Sequence, residues 1–242
     1  MRVIGIIGYK KSGKTTLTLK LSDELTKRGY KIAVVKHINE DLDLANSDTS
    51  KYKEGLTQVA AITPKESVIF LKNKKNLEEI IKYLEADIVL IEGFKKEKTF
   101  PKIVCLREES EKVELFDELQ LCTAGFISKG LDPKLCDFNI LNDKDIKKIA
   151  EIVINKSFKL PNLNCGGCGY KDCYGLAQEI VKGNKIPGDC TSLEPSTLVK
   201  VNGKIVPMNS FIAKIVENTI TGLLSPLKGF TKGDIEIKIK QK

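Results

Sequence analysis

Gly8-Tyr9-Lys10-Lys11-Ser12-Gly13-Lys14-Thr15-Thr16 is a complete G-x-x-x-x-G-K-[ST] run, and its reading decides the fold. Before it, Val3-Ile4-Gly5-Ile6-Ile7 is a continuous apolar stretch of the kind that forms a strand buried on both faces. After it, Leu17, Leu19, Leu21 and Leu25 belong to an amphipathic helix that ends near Gly29. A strand, a glycine-rich turn and a helix start in that order make a phosphate-binding loop. A polyphosphate needs many hydrogen-bond donors close by and little side-chain bulk in the way, so Gly8 and Gly13 let the backbone wrap it. Lys14 is expected on the β and γ oxygens and the Thr15 hydroxyl on magnesium, while the helix start adds partial positive charge. Tyr9, Lys10, Lys11, Ser12 and Thr16 complete the expected binding loop.

Working outward, Lys31-Ile32-Ala33-Val34-Val35-Lys36-His37 reads as a second strand. Its end would deliver Lys36 and His37 to the edge where parallel sheets bind ligands. Residues 39–49 then concentrate carboxylates and hydroxyls. They read equally as a switch or magnesium-proximal loop or as a solvated segment capping the next helix through Ser47 or Asp48. Residues 59–62 and 67–71 form two short strand patterns, and residues 76–84 a helix opened by Asn76. In Asp87-Ile88-Val89-Leu90-Ile91-Glu92-Gly93 an apolar run ends in a carboxylate, which places Glu92 at the metal or its bound water. Further strands at residues 102–106 and 121–127 and a helix over residues 143–155 continue the alternation expected of a mostly parallel α/β sheet flanked by helices. The fold class read here is an α/β P-loop NTPase followed by a small iron–sulfur domain and a small α+β tail. Cys105, Cys122 and Cys136 lie in or beside apolar segments and read as small core residues.

The combination of that loop with Val35-Lys36-His37, with Asp41, Asp43, Ser47, Asp48 and Thr49, and with Leu90-Ile91-Glu92-Gly93-Phe94-Lys95 leading to Pro101-Lys102-Ile103 resembles the molybdopterin-guanine dinucleotide biosynthesis protein B family over roughly residues 1–155. The resemblance implies a GTP-binding P-loop protein that assists the attachment of GMP to molybdopterin. It further implies a separate guanylyltransferase or molybdoenzyme as partner, molybdenum or tungsten as the metal of the product, and slow GTP hydrolysis. It brings Lys36, His37 and Asp48 toward the site, with Asp48 as a second acid beside Lys14 and Glu92. Ile38 and Asn39 stand where the family often has histidines, so no role of those histidines is carried over. Residues 128–132 depart from an S/T/N-K-x-D base-reading loop by one position and receive no assignment.

Residues 157–164, with Pro161 and two asparagines, read as a linker, giving expected domains of residues 1–156, 157–194 and 195–242. Cys165, Cys168, Cys173 and Cys190 form C-x2-C-x4-C-x16-C in a chain otherwise suited to a reducing cytosol. Three of these ligands crowd a glycine-rich loop at a helix start, and the fourth returns after the helix. That spacing differs from paired zinc knuckles and favours a [4Fe-4S] cluster, with zinc as the alternative. The cluster region is similar to the small iron–sulfur domains of corrinoid-pathway and electron-transport proteins. In the tail, Asn202-Gly203 signals a hairpin, residues 211–224 an amphipathic helix, and residues 235–240 an alternating strand.

The net charge of +8 is spread over scattered lysines, and the chain has 6% aromatic residues and no Trp, so a base-stacking nucleic-acid surface is not indicated. No stretch approaches bilayer-spanning length, and the expectation is a cytoplasmic protein with no membrane contact. The residues leave a homodimer open. Two rival readings use the cluster directly: a redox-gated nucleotide-binding adaptor, and an ATP-dependent electron-transfer activator.

Overall fold

The computed structural model describes residues 1–38, 51–52, 55–126, 135–193, 197–231 and 233–240. The chain divides into two compact units, Met1–Lys159 and Leu160–Lys242.

In the first unit, strands β1 (Arg2–Gly8), β2 (Ile32–Lys36), β5 (Ile88–Glu92), β6 (Lys102–Cys105), β7 (Gln120–Gly125) and β8 (Phe138–Asn139) form one sheet in the order β2-β5-β1-β6-β7-β8. Every neighbouring pair in it is parallel. Such a sheet needs cover on both faces, which is why β1 and β5 are continuous apolar runs rather than alternating ones. Ile4, Ile6, Ile88 and Leu90 pack on one face with Leu17, Leu21 and Leu25 of helix α1 (Lys14–Lys27) and with Ile146, Ile149, Ala150 and Val153 of helix α4 (Asp143–Lys156). Val3, Val89 and Ile91 pack on the other face with Phe100 and with Leu77 and Ile81 of helix α2 (Leu77–Ile81). On that face Ile7 and Val104 meet Leu115 of the short helix α3 (Lys112–Leu115). The buried leucines of α1 recur every fourth residue, while Leu19 of the same helix faces solvent.

The two short strands read at residues 59–62 and 67–71 are β3 (Gln58–Ile62) and β4 (Ser67–Leu71), one after the other as the sequence indicated. Among the described residues they pair with one another, antiparallel, and stand outside the parallel sheet.

The second unit contains helix α5 (Cys173–Lys182), the hairpin β9 (Lys200–Val201) and β10 (Lys204–Ile205), and helix α6 (Ser210–Leu224). Asp172 caps α5 by accepting from the Gly175 amide at 2.9 Å, and Asn209 caps α6 by accepting from Ile212 at 2.9 Å. The alternating residues 235–240 are assigned no strand. The hairpin pairs over only two residues on each side, too short an edge to hold a six-residue ladder, and Ile239 is exposed.

Candidate functional site

The site lies at the C-terminal ends of β1, β5 and β2. Parallel registry sets Glu92 opposite Ile6 of β1 on one side and opposite Lys36 of β2 on the other. The loop leaving β1 is tight. A Cβ on Gly8 would stand 2.5 Å from both the Cys105 carbonyl oxygen and Ser12 Oγ. Gly13 is left-handed (φ 93°) as the residue before α1, and a Cβ there would meet Ile140 and Phe126 at 2.8 Å. Only glycine fits either position. Ser12 is buried within the loop, and its Oγ has no hydrogen-bond partner, an unspent polar atom beside the cradle that a phosphate would enter.

Lys14 reaches back over the loop, its Nζ donating to the Tyr9 carbonyl at 2.6 Å. Burial holds this ammonium below the usual lysine range; Glu92 opposes that shift, while Lys36 and Arg107 add to it. Thr15 Oγ1 donates to Glu92 Oε1 at 3.0 Å, and Lys36 Nζ stands 3.5 Å from the same oxygen. Glu92 is buried while Thr15 and Lys36 are exposed, so the acid is fixed and its two partners face an incoming ligand. His37 stacks on Phe94, ring centroids 4.7 Å apart, and its backbone amide donates to the Glu92 carbonyl. Lys10 and Lys11 are exposed, and Thr16 is half-buried in the first turn of α1. The structure thus brings Lys14, Thr15, Lys36, His37 and Glu92 to one edge. Asp48, with Asp41, Asp43, Ser47 and Thr49, lies outside the described residues, as do residues 128–132.

Sequence reasoning passed over Arg107, which follows β6 at this edge. Its backbone amide and Nε donate to the two oxygens of buried Glu111 at 2.9 and 2.6 Å, and its Nη1 donates to the Lys10 carbonyl at 3.2 Å. An arginine two positions beyond the strand that borders β1 was the available signal.

In the second unit, Cys165 and Cys168 lie half-buried in the loop before α5, Cys173 is the buried first residue of α5, and buried Cys190 follows a 3-10 turn, Pro187–Asp189. Asn164 Oδ1 accepts from the Cys173 amide at 2.9 Å, and Cys165 Sγ lies 3.2 Å from Ser192 Oγ. Burial pushes the Cys190 thiol up, and the nearby Cys173, Cys168 and Cys165 sulfurs push it further. Four unpaired cysteine thiols, two in the loop, one at the helix start and one after the helix, fit an iron–sulfur donor set by their chemistry. Among the described residues no three His, Cys, Asp or Glu side chains are arranged to hold a metal. Cys105, Cys122 and Cys136 are buried in the first unit, as small core residues.

Residues 3–127 match the family model of molybdopterin guanine dinucleotide synthesis protein B, more than half of the chain. The chain belongs to this family. Residues 160–192 match a second model, described as "Putative Fe-S cluster". A Methanocaldococcus jannaschii protein named "Putative molybdopterin-guanine dinucleotide biosynthesis adapter protein" is 37% identical over 95% of this chain and 93% of its own length. A Haemophilus influenzae protein named molybdopterin-guanine dinucleotide biosynthesis adapter protein is 34% identical over 63% of this chain and 88% of its own. The crystal structure of Bacillus subtilis MobB superposes with a TM-score of 0.52 at 19% identity. It covers 63% of this chain and 98% of that one, which fixes the fold of the family's P-loop domain. No helix among the described residues is long and apolar enough to cross a membrane.

Proposed function

We propose that this chain binds GTP with magnesium and serves as a cytoplasmic adapter in the biosynthesis of molybdopterin guanine dinucleotide, assisting a guanylyltransferase that attaches GMP to molybdopterin. The observation that carries the reading is the hydrogen bond from Thr15 to Glu92 directly beside Lys14, in a chain of this family. A hydroxyl at the helix start and a carboxylate at the end of the neighbouring strand are the pair that would hold a magnesium ion beside a bound nucleotide. Lys14 would leave the Tyr9 carbonyl for the β and γ oxygens, and Gly8 and Gly13 keep side chains out of their way. Magnesium would neutralise phosphate charge at Thr15 and Glu92; Lys36, paired to Glu92, limits that acid's freedom to turn away. Hydrolysis in this reading is slow and secondary to binding, with Lys14 and Glu92 as the residues that touch the reacting phosphate and its metal.

Cys165, Cys168, Cys173 and Cys190 would hold a [4Fe-4S] cluster, which supplies a one-electron couple or a rigid staple for a small unit. The test is calorimetric titration of GTP against ATP with magnesium on anaerobically purified protein, with iron, sulfide and zinc measured on the same sample. A strong GTP preference supports the family role, and an ATP preference removes it in favour of an electron-transfer activator.

A further inference from the structure

Around Tyr9, two cations that the expected phosphate loop does not account for, Lys95 and Arg107, join Lys14. Lys14 Nζ and Arg107 Nη1 donate to consecutive loop carbonyls, those of Tyr9 and Lys10, at 2.6 and 3.2 Å. Lys95 Nζ stands 3.5 Å from the centroid of the Tyr9 ring, and the Arg107 guanidinium carbon lies 5.5 Å from the same centroid. Tyr9 is itself held, its hydroxyl donating to Glu114 and its side chain packed against the cluster that contains Ile7, Val104 and Leu115. Arg107 is held from behind by buried Glu111 through two contacts, which aims the far edge of its guanidinium at the loop. Burial lowers the Lys95 ammonium and the Lys14 and Arg107 charges lower it further, while Glu114 and Glu111 work against that shift. Glu111 and Glu114 offset part of this positive charge, and an anion entering beside Lys14 would meet the remainder.

We infer that Lys95 and Arg107 bind the terminal phosphate of the nucleoside triphosphate, making this loop selective for the triphosphate over the diphosphate. The inference rests on the nucleotide-binding reading of the loop. Lys14 serves the β and γ oxygens from the helix start; Tyr9 and Lys10 lie at the other end of the loop, so the cations gathered there face the outermost phosphate. A guanidinium adds to that charge a planar fork suited to two phosphate oxygens, which an ammonium lacks.

The test measures affinity for GTP and GDP, with magnesium, for the full-length protein and its Lys95→Ala, Arg107→Ala and Arg107→Lys variants. Loss of charge-assisted contacts to the γ-phosphate is expected to weaken GTP by about tenfold to a hundredfold and GDP by no more than about twofold. Arg107→Lys, which keeps the charge without the fork, should fall between. A purely structural role in shaping the loop would weaken both nucleotides alike, and that outcome overturns the inference. Because Arg107→Ala strands buried Glu111, the double variant Arg107→Ala/Glu111→Gln is measured beside it and should show the same loss of GTP preference. A wild type that binds GTP and GDP equally also overturns the inference while leaving nucleotide binding intact. If the wild type instead prefers ATP, the guanine reading fails, and the same comparison on ATP and ADP decides the role of Lys95 and Arg107.

Discussion

Thr15 Oγ1 donates to Glu92 Oε1 at 3.0 Å across 77 positions of sequence. The bond joins the first turn of α1 to the end of β5, and it exists because parallel registry sets Glu92 beside Ile6, two residues before the loop begins. Glu92→Gln keeps the size and one acceptor but removes the charge that a divalent ion needs. In the variant, GTP affinity should drop by about tenfold or more and become insensitive to chelation of magnesium. Titrations with magnesium and with EDTA check this. A variant whose affinity still depends on magnesium as the wild type's does would remove Glu92 from the metal site.

A second pair, buried beneath the segment that carries Lys95, contributes to stability. Lys102 is fully buried, with Nζ donating to Asp117 and, at 2.8 Å, to the Lys95 carbonyl. Lys98 also stands 2.9 Å from Asp117. Asp117→Asn strands a buried ammonium and should cost about 3–5 kcal/mol in urea unfolding. Lys102→Met removes the buried charge and leaves Asp117 with Lys98, so its cost should be clearly smaller. Equal losses would mean that packing, rather than charge, sets the value of this pair.

The sheet and its ligand edge were legible because each depends on local signals: the apolar runs of β1 and β5, the glycines of the loop, and Glu92 closing a strand. The bond between Thr15 and Glu92 followed once both ends were placed. Arg107 was not legible, since its meaning lies in Glu111, four residues later, and in the carbonyl of Lys10, far earlier in the chain. The alternation at residues 235–240 signalled a strand, but a strand needs a neighbouring edge, and sequence period says nothing about whether one is offered. The four cysteines were readable as a set from spacing alone, whereas Asn164 holding the Cys173 amide was not.

Burial pushes the Cys122 thiol up to about 12 and the Cys136 thiol up to about 11, against an ordinary 9.0. As pH rises past 9 the unfolded chain loses these protons while the folded chain keeps them. The folded state then binds more protons, and stability falls with pH. The loss should begin near pH 9 and continue through the folded values. Unfolding free energies measured under reducing conditions at about pH 8 and about pH 10.5 should differ less in a Cys122→Ala/Cys136→Ala variant than in the wild type. An unchanged pH slope in the variant would exclude these thiols as its source.

The cluster prediction separates two groups of cysteines by their surroundings. Cys105, Cys122 and Cys136 are enclosed by hydrocarbon in the first unit, where burial disfavours the thiolate that a metal requires. Cys165, Cys168 and Cys173 share one loop and helix start, and Cys190 returns after the helix behind the 3-10 turn Pro187–Asp189. There Asp172 caps the helix and Asn164 fixes the Cys173 amide without help from metal. Serine at any of these four positions should therefore lower iron and the broad visible absorption of anaerobically purified protein from about four irons per chain, while leaving the fold of the loop supported by those caps. Serine at Cys105, Cys122 or Cys136 should leave the iron content unchanged. Stoichiometric zinc without sulfide would replace the cluster with a structural metal on the same ligands. Iron that survives all four substitutions would show that the ligands lie elsewhere.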